Sequence, residues 1–176
     1  LSGSLQMVLA EISLCEQSMR DSEEQLARWH ADDDIVHKLD EVSGIGLLTA
    51  SALKTAVGKP ERFASGRHLS AWLGMTPNEY SSGERRRLGC ISCKGNTYVR
   101  TLLIHGARAA LLAAKRCQTR TPERLTQLQR WALQTAERIG HNKAAVALAN
   151  KLVRICWAVW CHERRFSGDW QSARPA

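Results

Sequence analysis

The segment Met75–Asn96, MTPNEYSSGERRRLGCISCKGN, gathers most of the reactive side chains of this 176-residue chain. Ser81 and Ser82 precede Gly83, and three guanidinium groups follow at Arg85, Arg86 and Arg87. Lys94 and Arg100 lie a little further on. A hydroxyl on a glycine-relieved turn is presented to a substrate. Neighbouring guanidiniums bind a phosphodiester and stabilise the charge that develops when it is attacked. This is what a serine nucleophile acting on DNA requires. Serine activation also calls for a general base, and Glu79 and Glu84 are the local candidates. Local chemistry leaves a plainer reading open, in which Ser-Ser-Gly is a turn and the arginines form a solvated phosphate-binding loop.

A second feature lies upstream, in Leu39–Gly58. It reads as a helix end, a tight Gly44-Ile45-Gly46 turn and a helix starting near Leu47. The glycines keep the turn free of side-chain bulk, and the helix start leaves backbone N–H groups unpaired and pointing outward. Such a start carries partial positive charge and holds a phosphate without any special side chain. The pattern is that of a helix-hairpin-helix, which grips a nucleic-acid backbone regardless of sequence. An ordinary helix–helix connection with a glycine stop is the simpler alternative.

Charge favours a polyanion partner. The net charge of +8 divides unevenly: residues 1–41 hold three basic and ten acidic side chains, and the remainder is strongly basic. A basic body behind an acidic leader suits DNA better than a small-molecule site. Metal chemistry is poorly supported. Cys90-x-x-Cys93 lacks the second ligand pair of a structural zinc site. His105, His141 and His162 are dispersed. Asp32, Asp33 and Asp34 precede a helical stretch and read as caps that compensate its dipole. No metal site and no cofactor is therefore expected within this chain.

The elements that must position these groups are helical. Hydrophobic residues make up 44% of the chain with few aromatics, and Leu and Ala dominate. Leu5, Val8, Leu9, Ile12, Cys15, Met19, Leu26 and Trp29 recur at steps of three and four, giving a long helix over 4–30 with a narrow coiled-coil seam. Further helices are predicted over 35–42, 47–57, 68–73, 97–115, 122–138 and 142–162. Residues 75–96 are expected to be turn-rich and irregular, and the tail from Ser167 to Ala176 frayed. The expected fold class is all-α: a helix-hairpin-helix-containing domain with an N-terminal coiled-coil helix and a loop-rich catalytic segment. The divisions are 1–34 for the coiled-coil helix and 35–176 for the helical domain, with the hairpin module at 36–58, the serine/arginine loop at 75–96 and C-terminal helices at 97–165. No run approaches the roughly 18 continuous apolar residues of a membrane span, and no signal peptide is visible. The six scattered cysteines read as reduced thiols of a cytoplasmic protein.

From Gly44 to Arg108 the chain resembles the C-terminal transposase domain of insertion-sequence family 110 elements, a family that also includes the pilin-gene invertases. The resemblance is carried in order by Ser43-Gly44-Ile45-Gly46, Arg62-Phe63 and Ala71-Trp72-Leu73-Gly74-Met75-Thr76-Pro77. It continues through Tyr80-Ser81-Ser82-Gly83, Arg87-Leu88-Gly89, Ile91-Ser92-x-Lys94-Gly95-Asn96 and Arg100-Thr101-Leu102-Leu103. It implies a DNA recombinase (DEDD-type) with two half-sites. One is a RuvC-like domain whose four acidic residues bind divalent metal, with magnesium the expected ion. The other is this domain, whose serine becomes covalently linked to DNA. The serine before glycine in the Tyr-x-Ser-Gly element maps onto Ser82, with Ser81 at the variable position. The resemblance also implies half-sites that meet across protomers, a coiled coil joining the domains, and a structured guide RNA in some relatives. Cys93 departs from it, since relatives often carry a basic residue there.

These observations lead to the C-terminal half of a serine-using DNA transposase. In this reading Ser82 is the nucleophile, Gly44, Ile45 and Gly46 form a backbone grip, and Arg85, Arg86, Arg87, Lys94 and Arg100 contact phosphate. The chain opens on Leu1 with about 40 residues before the hairpin, so it reads as a fragment without the RuvC-like domain. Two other classes fit less of the sequence: a non-catalytic helix-hairpin-helix binding module of a repair or recombination accessory protein, and a structural assembly domain dimerising through its helices.

Overall fold

Glycine and proline set most of the element boundaries. In the computed structural model, which describes residues 2–83, 85 and 87–169, helix α3 (Leu47–Val57) starts after Gly46. It stops at Gly58, whose φ of 70° lies in the left-handed region that glycine tolerates. Pro60 then opens a 3-10 turn, Pro60–Arg62, at the first position, where its missing N–H costs nothing. The other helices are α1 (Ser2–Trp29), α2 (Asp34–Asp40), α4 (Gly66–Trp72), α5 (Thr97–Arg120), α6 (Gln127–Ile139) and α7 (His141–Cys161). Side-chain caps fix several starts. Ser65 accepts from His68 N–H, Asn96 from Val99 N–H, and Thr126 with Gln129 makes a reciprocal capping box at α6.

The fold is predominantly helical, with one departure from the all-α expectation. Residues 75–96, expected to be irregular, contain an antiparallel hairpin of β1 (Pro77–Glu79) and β2 (Leu88–Ile91). Pro77 pairs with Ile91 and Glu79 with Leu88, with an irregularity between them that shifts the register. The ladder extends in both directions. Tyr80 N–H donates to Arg87 O (2.8 Å), and Ser92 N–H donates to Thr76 O (2.8 Å). At the tip Ser82 and Arg85 exchange both backbone hydrogen bonds (3.3 and 3.1 Å). That leaves a two-residue connection, and Gly83 at φ 56° supplies the left-handed geometry such a connection requires.

By contact density the chain divides between Asp34 and Ile35 into two units. In the first, α1 carries its apolar side chains exposed: Leu5, Val8, Leu9, Ile12 and Met19 are each about half or more accessible. In the second, α7 is the central helix, packed against α4, α5 and α6, while α3 packs on α5. Leu148, Leu152, Val153 and Cys156 of α7 meet Leu69, Leu103, Leu111 and Leu133 in one continuous core. Burial pushes the Cys156 thiol up to about 12, because a thiolate there would lose its hydration. Helix α7 is long and, on average, apolar enough to cross a membrane, although Lys143, Lys151 and Arg154 interrupt any continuous apolar run, as the sequence expectation has it. Half of that stretch is buried inside the fold, as in a core helix of a soluble protein.

Candidate functional site

Helix α5 carries the Gly44-Ile45-Gly46 turn. Gly44 has φ 90°, and a Cβ added there would lie 2.8 Å from Gly106 O; a Cβ added to Gly106 would lie 1.9 Å from Gly44 O. Only two glycines let the turn backbone sit this closely on the helix. Ile45 is 3% exposed and anchors the turn in the core, its N–H donating to Val42 O at 2.8 Å. Gly46 is exposed, and a Cβ added there would meet nothing within 4 Å. The first intrahelical bond of α3 runs from Ala50 N–H to Gly46 O (2.9 Å), and no side chain caps the start. The N–H groups of Leu47, Leu48 and Thr49 therefore lie at an uncapped helix start, beside the exposed Leu48 side chain.

The same helix holds the base of the hairpin. Arg100 is 8% exposed. Its guanidinium donates to Leu73 O (3.3 Å), Gly95 O (3.3 Å) and Thr97 Oγ1 (3.2 Å). The two carbonyls flank the hairpin in sequence, so Arg100 ties both of its ends to α5. The ends also press on each other. Cys93 N–H donates to Gly74 O (3.1 Å), and a Cβ on Gly95 would meet Leu73 C at 2.3 Å. Gly106 is six residues beyond Arg100, roughly 9 Å along the helix at 1.5 Å per residue. One rigid element thus mounts both sequence features.

Side chains alternate between the hairpin faces. Tyr80, Ser82, Arg85 and Arg87 fall on one face by register, and the Tyr80 ring lies against the space left by Gly89. Glu79 and Ser81 fall on the other. Ser81 Oγ donates to Glu79 Oε1 (2.7 Å) and accepts from Arg87 N–H (3.1 Å), so it is committed to holding the hairpin. Ser82, Arg85 and Arg87 are exposed, and among the described residues no side-chain hydrogen bond engages Ser82 Oγ. Lys94 is also exposed. Arg86 and Glu84, named above as a phosphate contact and a candidate base, lie outside the described residues. The structure therefore brings Ser82 together with Arg85 and Arg87 and places Arg100 beneath them as support.

Sequence reasoning missed this role of Arg100, although a signal was available. Arg100, Leu103, Ala107, Leu111 and Ala114 recur at three and four residues and share the buried face of α5. The Glu79–Ser81 bond was also missed, since nothing in the string Asn-Glu-Tyr-Ser distinguishes it. Cys90 and Cys93 are exposed free thiols, and all six cysteines are unpaired. Among the described residues no group of three His, Cys, Asp or Glu side chains could hold a metal. His30 Nδ1 and Asp33 Oδ2 pair at 3.3 Å, and Asp34 lies in the first turn of α2, where a carboxylate complements the helix dipole.

The chain is 40% identical to a "Probable family 20 transposase" of Pseudomonas aeruginosa over 87% of its own length and 43% of the relative's. It is 34% identical to the "Transposase for insertion sequence element IS1111A" of Coxiella burnetii, over 92% of this chain and 43% of that one. It is 35% identical to the "Transposase for insertion sequence element IS1328" of Yersinia enterocolitica, over 88% and 44% respectively. The chain therefore spans less than half the length of these curated relatives. The family model described as "Transposase IS116/IS110/IS902 family" matches residues 36–123, half of the chain, and takes in the glycine turn, the serine hairpin and α5. With both features on one helix inside that matched segment, the chain belongs to the IS116/IS110/IS902 transposase family.

Proposed function

We propose that this chain is the DNA-binding C-terminal part of a transposase in which Ser82 is the nucleophile, of the type shared with the pilin-gene invertases. The observation that carries the reading is the hairpin tip. It presents the exposed Ser82 hydroxyl beside Gly83, on the same face by register as Arg85 and Arg87. Ser82 Oγ forms a bond to phosphorus, a sugar oxygen leaves, and the proton lost by the hydroxyl ends on that leaving oxygen. Arg85 and Arg87, with Arg86 and Lys94, hold the non-bridging phosphoryl oxygens and stabilise the added charge. Gly44, Ile45 and Gly46, acting as a helix-hairpin-helix with the start of α3, grip the backbone further along the strand. Arg100 acts as a positioning residue. The divalent metal implied by the resemblance would be held by the RuvC-like domain rather than by these residues. The exposed seam of α1 serves as one strand of a coiled coil, through which copies assemble and bring the two half-sites together. A guide RNA, as in some relatives, would enter at that level.

The test uses the full-length transposase. Ser82→Ala is expected to abolish strand exchange and the covalent protein–DNA adduct while leaving DNA affinity within about twofold. Ser81→Ala retains the adduct. Recombination by Ser82→Ala would refute the assignment. A second reading, a non-catalytic helix-hairpin-helix module, is favoured by the Glu79 carboxylate being bonded to Ser81 rather than to Ser82. It predicts salt-sensitive DNA binding with no adduct from any serine.

A further inference from the structure

Helices α6 and α7, the start of α4, the base of the hairpin and the segment after α7 enclose a groove of about 1330 Å³. This exceeds the roughly 300–1,000 Å³ usual for a small-molecule site. Its lining includes Arg67, Lys143, Lys151, Arg154, Arg164 and Arg165, and no aspartate or glutamate among the described residues. None of these six cations pairs with a described carboxylate. Asp169, one residue beyond the lining, accepts from Gln127 N–H (3.0 Å) at the start of α6. Lys151 is half-buried with its ammonium 4.1 Å from the centre of the Trp131 ring, and burial together with neighbouring Arg154 lowers its pKa. A partly desolvated cation beside a second cation has no counter-anion among the described residues.

The floor is apolar and aromatic. Trp131 and Trp157 are both half-buried, and Trp157 Nε1–H donates to Pro60 O (3.2 Å), which fixes its plane. Along α7, Lys143 to Arg154 spans roughly 16 Å, enough for several phosphates on the rim. The groove also reaches the serine hairpin, since Pro77, Leu88 and Gly89 line it and Asn150 Nδ2 donates to Met75 O (2.9 Å).

Resting on the DNA reading above, we propose that this groove binds an unpaired DNA strand leading to or from the serine hairpin. Cations on the rim take its phosphates and the tryptophan floor takes its bases. A duplex keeps its bases stacked inside and offers such a floor nothing, whereas a single strand presents both faces that the groove complements.

The experiment measures fluorescence anisotropy of a labelled fifteen-nucleotide oligothymidine with the 176-residue chain, beside the matched duplex and the corresponding oligouridine. The single DNA strand is expected to bind at least tenfold tighter than the duplex and no weaker than the RNA. R67E/R154E, both at exposed positions, should weaken it at least tenfold and lower the slope of log affinity against log salt by about 1.4. Circular dichroism confirms that the variant is folded; if it is not, the single variant R154E replaces it, with about half that change in slope. Unchanged affinity and slope, a parent chain that ignores the strand, or preference for duplex or RNA each overturn the proposal. Ser82→Ala leaves strand affinity intact in either case, so failure of the groove and failure of the nucleophile are read separately. If K94E abolishes binding while R67E/R154E does not, the strand lies on the hairpin alone; the groove fails and the DNA reading survives.

Discussion

Replacing Gly106 by alanine sets two effects of opposite sign against each other. Gly106 lies inside α5, where glycine is disfavoured by about 1 kcal/mol relative to alanine, so propensity alone forecasts a stabilised protein. The structure forecasts the reverse. The new Cβ would stand 1.9 Å from Gly44 O, about 1.5 Å closer than ordinary contact, and both partners are backbone, which cannot rotate away. Either the turn lifts from α5 and loosens Ile45 from the core, or the helix bends. Overpacking of this kind costs about 1–3 kcal/mol, and the opposing backbone places it at the upper end, so a net loss of about 1–2 kcal/mol remains. At roughly 4 °C per kcal/mol for a domain of this size, Tm falls by about 4–8 °C. Urea unfolding followed by circular dichroism gives the free energy directly. Gly44→Ala, strained at φ 90° as well, removes the same contact, so the double variant should cost less than the sum of the singles. If the turn grips DNA, duplex affinity of Gly106→Ala falls with stability. A raised Tm would refute the packing argument; a lowered Tm with unchanged DNA affinity would separate the turn from DNA.

Two further perturbations probe the supports of the site. Arg100→Leu leaves Leu73 O and Gly95 O without their buried donor and should destabilise by about 1–3 kcal/mol. Urea midpoints check this, and a loss below about 0.5 kcal/mol would return Arg100 to the surface cations. Cys156 should resist iodoacetamide in the native protein at pH 8.5 while exposed Cys15, Cys90 and Cys93 react, as peptide mapping by mass spectrometry would show. Its raised pKa makes its contribution complete below pH 9 and progressively lost as pH climbs toward 12, because the unfolded chain gives up this proton first. Stability should therefore fall more steeply between pH 9 and pH 11 than in Cys156→Ala, and equal slopes would count against this.

The helices were legible because their signals are local and repeated. Apolar steps of three and four, with Gly58, Pro60 and Ser65, place most boundaries within a few residues of the observed ones. The predicted helix over 97–115 continues to Arg120, and that over 122–138 divides into a 3-10 turn, Pro122–Arg124, and α6. The hairpin was not legible, because its strands are three and four residues long and mostly exposed, so no buried alternation marks them. What defines it is pairing across the chain, together with Gly83 and Gly89, whose reasons lie in φ and in the Tyr80 ring. Ser82 and the cations were singled out by chemical type. Where each cation points was a tertiary question. Charge counting treated Arg100 like Arg85, although one is buried under the hairpin and the other exposed at its tip. The groove was invisible for the same reason, since its cations come from three separate segments.

Alternation along the hairpin gives its two serines different work. Ser81 and Glu79 share a face and a 2.7 Å hydrogen bond, and Ser81 Oγ also accepts from Arg87 N–H across the ladder. That small network replaces a ladder bond and stiffens the arm carrying the tip. Ser82 is one residue further and therefore faces the other way, with Arg85 and Arg87. Glu79 consequently cannot serve as general base for Ser82 unless the hairpin shifts by one residue, which would break its pairing. On the proposed reading, Ser82 stands on a cationic face that would stabilise an attacked phosphate but removes no proton. A base must then arrive from Glu84, from the bound DNA or from another domain or copy. A serine platform complete in its electrostatics and dependent on assembly for its proton chemistry would stay silent on DNA until both half-sites are joined.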